Sequence, residues 1–135
     1  MARIVIDASS TLTWLFDENG AAGKMTPVFA TSRLVAPSLW LLEVTNAVLV
    51  RERRKLIGEA QAFQLLHLID ELPVEVVAEP ISRKSTALAQ MARPHQLSSY
   101  DAVYLELAVR MGIPLLTHDK NLRSAARRMG VELFE

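Results

Sequence analysis

What most constrains this chain is its alternation of short β-branched runs with longer helical stretches. Residues 3–6, 33–36, 74–77, 114–117 and 131–134 are apolar runs of strand length, and no two are joined by a two-residue hairpin turn. Between them, helical spacing occupies 9–16, 39–55, 59–72, 80–92, 98–111 and 120–129. A Ser or Thr is available to cap the first of these helices. Pro37-Ser38 opens the second at residues suited to a helix start, Pro73 stops the third, and Gly112 and Gly130 follow the last turns of the final two. Residues 18–31 are ambiguous, because Gly20, Gly23 and Pro27 interrupt a weakly helical pattern. Strands each reached through a helical crossover form a parallel sheet with helices on both faces. The pattern predicts one α/β domain over residues 1–135, with a central parallel sheet of about five strands.

Composition narrows the function classes. With 135 residues, half of them hydrophobic and 22% charged, the chain can bury a sizeable core and is not a disordered segment. No apolar run reaches the roughly 18 residues of a membrane span. Met1 to Arg3 leads straight into a strand without a signal-peptide layout, and there is no cysteine for a disulfide or a thiolate zinc site. These features predict a cytoplasmic protein with no membrane partner. Charge is balanced at 15 basic and 15 acidic residues, so global electrostatics neither demand nor forbid a nucleic-acid partner. Basic clusters at Arg51, Arg53, Arg54 and Lys55, and at Lys120, Arg123, Arg127 and Arg128, read equally as solvated helix faces.

Four acids fall where chemistry would use them. Parallel sheets bind ligands beyond the carboxyl ends of their strands. Asp7 closes the first strand, and Asp119 lies two residues past the fourth. Asp7 could equally begin a turn, and Asp119 could cap the helix after it. Asp101 sits three residues after Ser98, as in a capping box. Glu43 shares a narrow polar stripe with Asn46 on an otherwise apolar helix, where burial requires a salt bridge, a hydrogen bond, a proton or a cation. If the first and fourth strands are neighbours, and the helices beginning at Ser38 and Ser98 start on that same edge, all four carboxylates converge on one cleft. Oxygen ligands without cysteine or a histidine pair then favour Mg²⁺ or Mn²⁺ over zinc. His67, His95 and His118 lack the spacing of a metal-binding pair.

Four segments together resemble a known family: Ile4-Val5-Ile6-Asp7-Ala8-Ser9-Ser10, Ala36-Pro37-Ser38-Leu39-Trp40 with Glu43 and Asn46, Asp101-Ala102-Val103-Tyr104 with Leu107-Ala108, and Leu116-Thr117-His118-Asp119-Lys120. In order and spacing they are similar to a PIN-domain ribonuclease and, within that group, to a VapC-type toxin. The resemblance implies a three-layer α/β/α fold and a metal-dependent endoribonuclease that cuts structured RNA such as tRNA or rRNA. It implies that Asp7, Glu43, Asp101 and Asp119 bind the metal, Asp7 and Asp101 directly. Ser9 and Thr117 match supporting hydroxyl positions, and Asn46 a polar companion of Glu43. A cognate antitoxin and a homodimer are also implied. Lys120, Arg123 and Arg127, along one helix face beginning beside Asp119, are the candidates for RNA phosphate contacts. A PIN-like module that binds RNA without cutting it is the alternative, and its mark would be loss of one or more of the acids. A receiver-like module would need an acidic pair after the first strand, and a haloacid-dehalogenase-type phosphatase an aspartate where Ser9 stands.

Overall fold

A computed structural model describes residues 1–78 and 85–135. In chain order the elements are β1 (Arg3–Ile6), α1 (Ala8–Leu15), α2 (Ala22–Thr31), β2 (Arg33–Pro37), α3 (Leu39–Arg53), α4 (Glu59–Glu71) and β3 (Val74–Val77). They continue with α5 (Ser85–Ala92), α6 (Ser99–Met111), β4 (Leu115–Leu116) and α7 (Lys120–Arg128). Short 3₁₀ turns at Glu18–Gly20 and Arg93–His95 link α1 to α2 and α5 to α6.

The strands lie in the order β3-β2-β1-β4, and every pair is parallel. Ile4, Val5 and Ile6 of β1 have no exposed surface, as expected of a central strand covered on both faces. From β1 to β2 to β3 the chain moves steadily outward; it then returns across the sheet to place β4 on the other side of β1. Right-handed crossovers put the helices of those two excursions on opposite faces. Accordingly α1 packs with α2, α3 and α4, while α6 packs with α5 and α7 and lies against β1 and β2. The reversal between β1 and β4 is the point at which a parallel sheet opens a crevice beyond its strand ends. Val5 pairs with Leu115 and Ile6 with Leu116, so Asp7 leaves the sheet at that crevice.

Three differences from the sequence expectation have physical causes. Residues 22–31 do form a helix despite Pro27, because Met25 and Phe29, one turn apart, are buried in the core. The expected fifth strand is a single bridge, Leu115 to Leu133, backed by bonds from Leu115 N–H to Glu132 O and from Phe134 N–H to Leu115 O. α1 is capped by Asp7 rather than by a Ser or Thr, because the helix starts directly where β1 ends. The helix expected over 80–92 is seen from Ser85, and residues 79–84 lie outside the described residues. Gly112 ends α6 in the left-handed conformation, at φ 64°, and donates its N–H to Ala108 O. Among the described residues no helix is long and apolar enough to cross a membrane.

Candidate active site

Asp7 anchors the site. It is only 2% exposed, and its carboxylate is surrounded by donors. Ser10 N–H donates to Oδ1 at 2.8 Å, Ser9 Oγ lies 2.9 and 2.8 Å from the two oxygens, and the Thr117 hydroxyl donates to Oδ2. Ser9 Oγ in turn accepts the His118 N–H at 3.0 Å, and Thr117 Oγ1 accepts the Asp119 N–H at 3.0 Å. The ends of β1 and β4 are thus joined by side chains as well as by the sheet. Below them, the Asp7 carbonyl accepts the Thr11 hydroxyl at 2.9 Å, and Thr11 Oγ1 accepts the Trp40 indole N–H at 2.9 Å, which ties α1 to α3.

Asp101 is the opposite case. Ser98 is the N-cap of α6 and accepts the Asp101 backbone N–H at 3.1 Å, but the reciprocal bond of a capping box is not made. The half-buried Asp101 carboxylate has a single donor among the described residues, the Ser98 side chain, where Asp7 has three. Glu43, half-buried on α3, accepts one hydrogen bond at 2.6 Å, from the hydroxyl of Tyr104 to Oε1. Tyr104 stands one turn after Asp101 on α6, so this bond spans the cleft between α3 and α6. Asp119 caps α7, accepting the Leu122 N–H at 2.8 Å on Oδ2. For Asp7 and Asp119 the structural and the chemical readings are therefore compatible, since each caps a helix and also faces the crevice.

The carboxylates feel one another. Burial pushes the Asp101 carboxyl up from its ordinary range, the charges of Asp119 and Asp7 push it further, and a hydrogen bond with the Ser98 side chain opposes them. Burial also raises Glu43; the Tyr104 bond opposes this, and the charges of Asp101 and Asp7 reinforce it. Burial raises Asp7 against the pull of its hydrogen bonds from Thr117, Ser10 and Ser9. Tyr104 is itself held well above the usual phenol range, by burial and by its bond to Glu43. Among the described residues no Lys, Arg or His forms an ion pair with any of the four acids.

A cluster of like charges without a counter-cation is the donor set that a hard divalent ion suits. Among the described residues no group of three or more acidic or histidine side chains is arranged to hold an ion directly. Mg²⁺ does not need one, because it retains several waters and is commonly held by one or two carboxylates. The Asp101 carboxylate, with the Ser98 side chain as its one donor among the described residues, is available for that role.

The remaining sequence candidates are placed unevenly. Asn46 is exposed on α3 and makes no hydrogen bond among the described residues. Lys120 is exposed. The Arg123 guanidinium donates to the Thr117 carbonyl at 3.1 Å and to Glu135 Oε1 at 2.5 Å, and Arg127 lies 3.9 Å from the same Glu135 oxygen. His67 pairs with Glu71 on α4, and the His118 side chain is exposed. Sequence reasoning missed Tyr104 as a functional group. Its signal was a phenol one helical turn after Asp101 on an otherwise apolar helix.

A family description, PIN domain, matches residues 4–128. The chain belongs to the PIN-domain family. This PIN domain is 27% identical over 120 residues to Ribonuclease VapC3 of Pyrobaculum aerophilum, covering 89% of this chain and 92% of the relative. Its fold is shared with VapC20 of Mycobacterium tuberculosis, a sarcin-ricin loop cleaving toxin, at a TM-score of 0.61 and 16% identity over 90% of this chain and 94% of the other. It is shared also with VapBC2 of Rickettsia felis, solved bound to a DNA fragment from its promoter, at a TM-score of 0.64 and 12% identity over 98% and 97%.

Proposed function

We propose that this PIN domain, acting as one unit over residues 1–135, is a Mg²⁺- or Mn²⁺-dependent endoribonuclease of the VapC toxin type. The observation that supports this is that Asp7, Glu43, Asp101 and Asp119 act electrostatically on one another beside the β1/β4 crevice, with no basic partner among the described residues. Asp7 and Asp101 are assigned as direct metal ligands, with Glu43 and Asp119 completing the site directly or through water. Ser9 and Thr117 orient the Asp7 carboxylate, and Tyr104 does the same for Glu43. When bound, the ion supplies Lewis-acid stabilisation for the charge that develops at phosphorus and on the leaving oxygen. Glu43 has one oxygen held by Tyr104 and Oε2 free of that bond, so it can take a proton from the attacking water. Water oxygen bonds to phosphorus as the bond to the leaving oxygen breaks, and the leaving oxygen gains a proton from solvent.

The substrate is structured RNA, tRNA or rRNA, a reading supported by VapC20, a sarcin-ricin loop cleaving toxin of the same fold. An antitoxin partner is supported by VapBC2, an antitoxin–toxin complex of the same fold. A homodimer is proposed as well. Leu41, Leu42, Leu49 and Phe63 are exposed on α3 and α4 and provide the apolar area that such interfaces bury. The protein would act in the cytoplasm, where its RNA is.

Cleavage of total cellular RNA by purified protein, with Mg²⁺ or Mn²⁺ and with EDTA, tests this against Asp101→Asn. Discrete cuts that vanish with EDTA, and fall at least about a hundredfold in the variant, are expected. RNA binding without cutting by the wild type would replace this reading with that of a binding module.

A further inference from the structure

On the flank of α7 away from Glu135 lies a recess of about 190 Å³ lined by Pro94, His95, Gln96, Asn121, Ser124 and Arg128. It has roughly six times the liquid volume of one water molecule. No carboxylate lines it, and most of its lining side chains can donate hydrogen bonds. The Arg128 guanidinium is oriented within it, with Nη2 donating to Ser124 Oγ at 3.0 Å and Nη1 3.4 Å from His95 Nδ1. Among the described residues Arg128 has no ion pair, whereas Arg123 and Arg127 already face Glu135. Gln96 closes the rim in the left-handed conformation at φ 54°, uncommon for a residue with a long side chain. It is held there by bonds from Gln96 N–H to Arg93 O and from Leu97 N–H to Ala92 O. Such strain concentrates at functional sites.

The recess lies between the segments that carry two of the acids. Asp119 caps the helix that supplies Asn121, Ser124 and Arg128, and the turn that supplies His95 and Gln96 leads through Ser98 into the first turn of α6, where Asp101 sits. Ser124 is only about 7–8 Å along the helix axis from Asp119. A preset planar guanidinium among neutral donors matches phosphate better than a flexible exposed lysine does.

We propose that this recess binds a backbone phosphate of the RNA strand whose neighbouring phosphodiester enters the acidic cleft. Arg128 is its principal contact, and the sequence candidates Arg123 and Arg127 are secondary. The proposal rests on the nuclease reading above. Binding of labelled total transfer RNA is to be measured over a salt series in the Asp101→Asn background, which keeps the RNA intact. Adding Arg128→Gln is expected to weaken binding about three- to tenfold and to flatten the log K against log[salt] slope by about 0.7. The pair Arg123→Gln plus Arg127→Gln is expected to do less. Asn121→Asp places a carboxylate in the recess while leaving the Arg128 bonds intact, and is expected to weaken binding in the same way. It decides the matter if Arg128→Gln does not fold. Affinity and slope unchanged in a folded Arg128→Gln, or in Asn121→Asp if Arg128→Gln is unfolded, overturn the subsite. Failure of the parent to bind RNA, with failure of the wild type to cut total RNA, would instead overturn the nuclease reading.

Discussion

Asp7 and Asp101 are held in opposite ways. Around Asp7 the chain has built a complete shell of Ser9, Ser10 and Thr117 donors, so the carboxylate is oriented whether or not anything binds it. Asp101 has only the Ser98 side chain as a donor, and burial and the charges of Asp119 and Asp7 outweigh it. One carboxylate is a structural member that also faces the cleft; the other is left with few of the protein's own donors. Preorganisation on one side leaves less to be ordered on binding, and the net repulsion on the other favours a cation.

The two aspartates should therefore respond to mutation with opposite signs. Asp7→Ala removes the α1 cap and orphans buried donors, and should cost about 3 kcal/mol, a fall of roughly 10 °C in Tm for the metal-free protein. Asp101→Asn removes repulsion and leaves an amide oxygen that can still accept from Ser98, so the same melting experiment at neutral pH should show Tm rising by a few degrees. A fall for Asp101→Asn matching that for Asp7→Ala would mean that both acids are structural.

A second effect should appear in metal affinity. Ser9→Ala and Thr117→Val each remove a donor from Asp7, and outer partners of a ligand are typically worth 10–100-fold. Mn²⁺ titration by calorimetry should show losses of about that size, with a smaller change for Ser98→Ala, whose hydroxyl accepts the Asp101 backbone N–H and is the weakest of the influences on the Asp101 carboxyl.

The smallest effect is in pH dependence. Asp7, Glu43 and Asp101 have folded-state values above their unfolded ones, so the folded protein holds their protons longer. Their contribution to stability is fully present below the ordinary carboxyl range and is lost as pH rises through the raised values. Metal-free protein should thus lose stability as pH climbs from mildly acidic towards neutral. Asp101→Asn should reduce that slope, and saturating Mg²⁺ should offset it. Melting curves at several pH values would show this, and a slope of opposite sign would mean that the repulsion is compensated elsewhere.

Much of this was readable from the residues, for identifiable reasons. β1 and β3 were placed residue for residue, because β-branched runs bounded by polar or proline positions leave little choice. Residues 22–31 were not, because Gly23 and Pro27 speak against a helix locally and the burial of Met25 and Phe29 that favours one is tertiary. The acids stood out because strand ends and a polar stripe on an apolar helix are local patterns. Tyr104 did not, since a phenol on a mostly apolar helix reads as core until the facing Glu43 is in view. The basic helix was read as one face; the pairing of Arg123 and Arg127 with Glu135, and the separation of Arg128 from them, exist only in three dimensions.

The Thr117 hydroxyl donates to an aspartate 110 residues earlier in the chain and accepts the N–H of another acid two residues later. Every other part of the sheet can pair before that bond exists, because β1, β2 and β3 neighbour one another in sequence order. The acidic crevice is therefore among the last things this chain assembles. During synthesis, a nascent chain still lacking β4 has Asp7, Glu43 and Asp101 but no closed seam to bring them together with Asp119. Closure of the seam is thus timed by the arrival of β4 and α7.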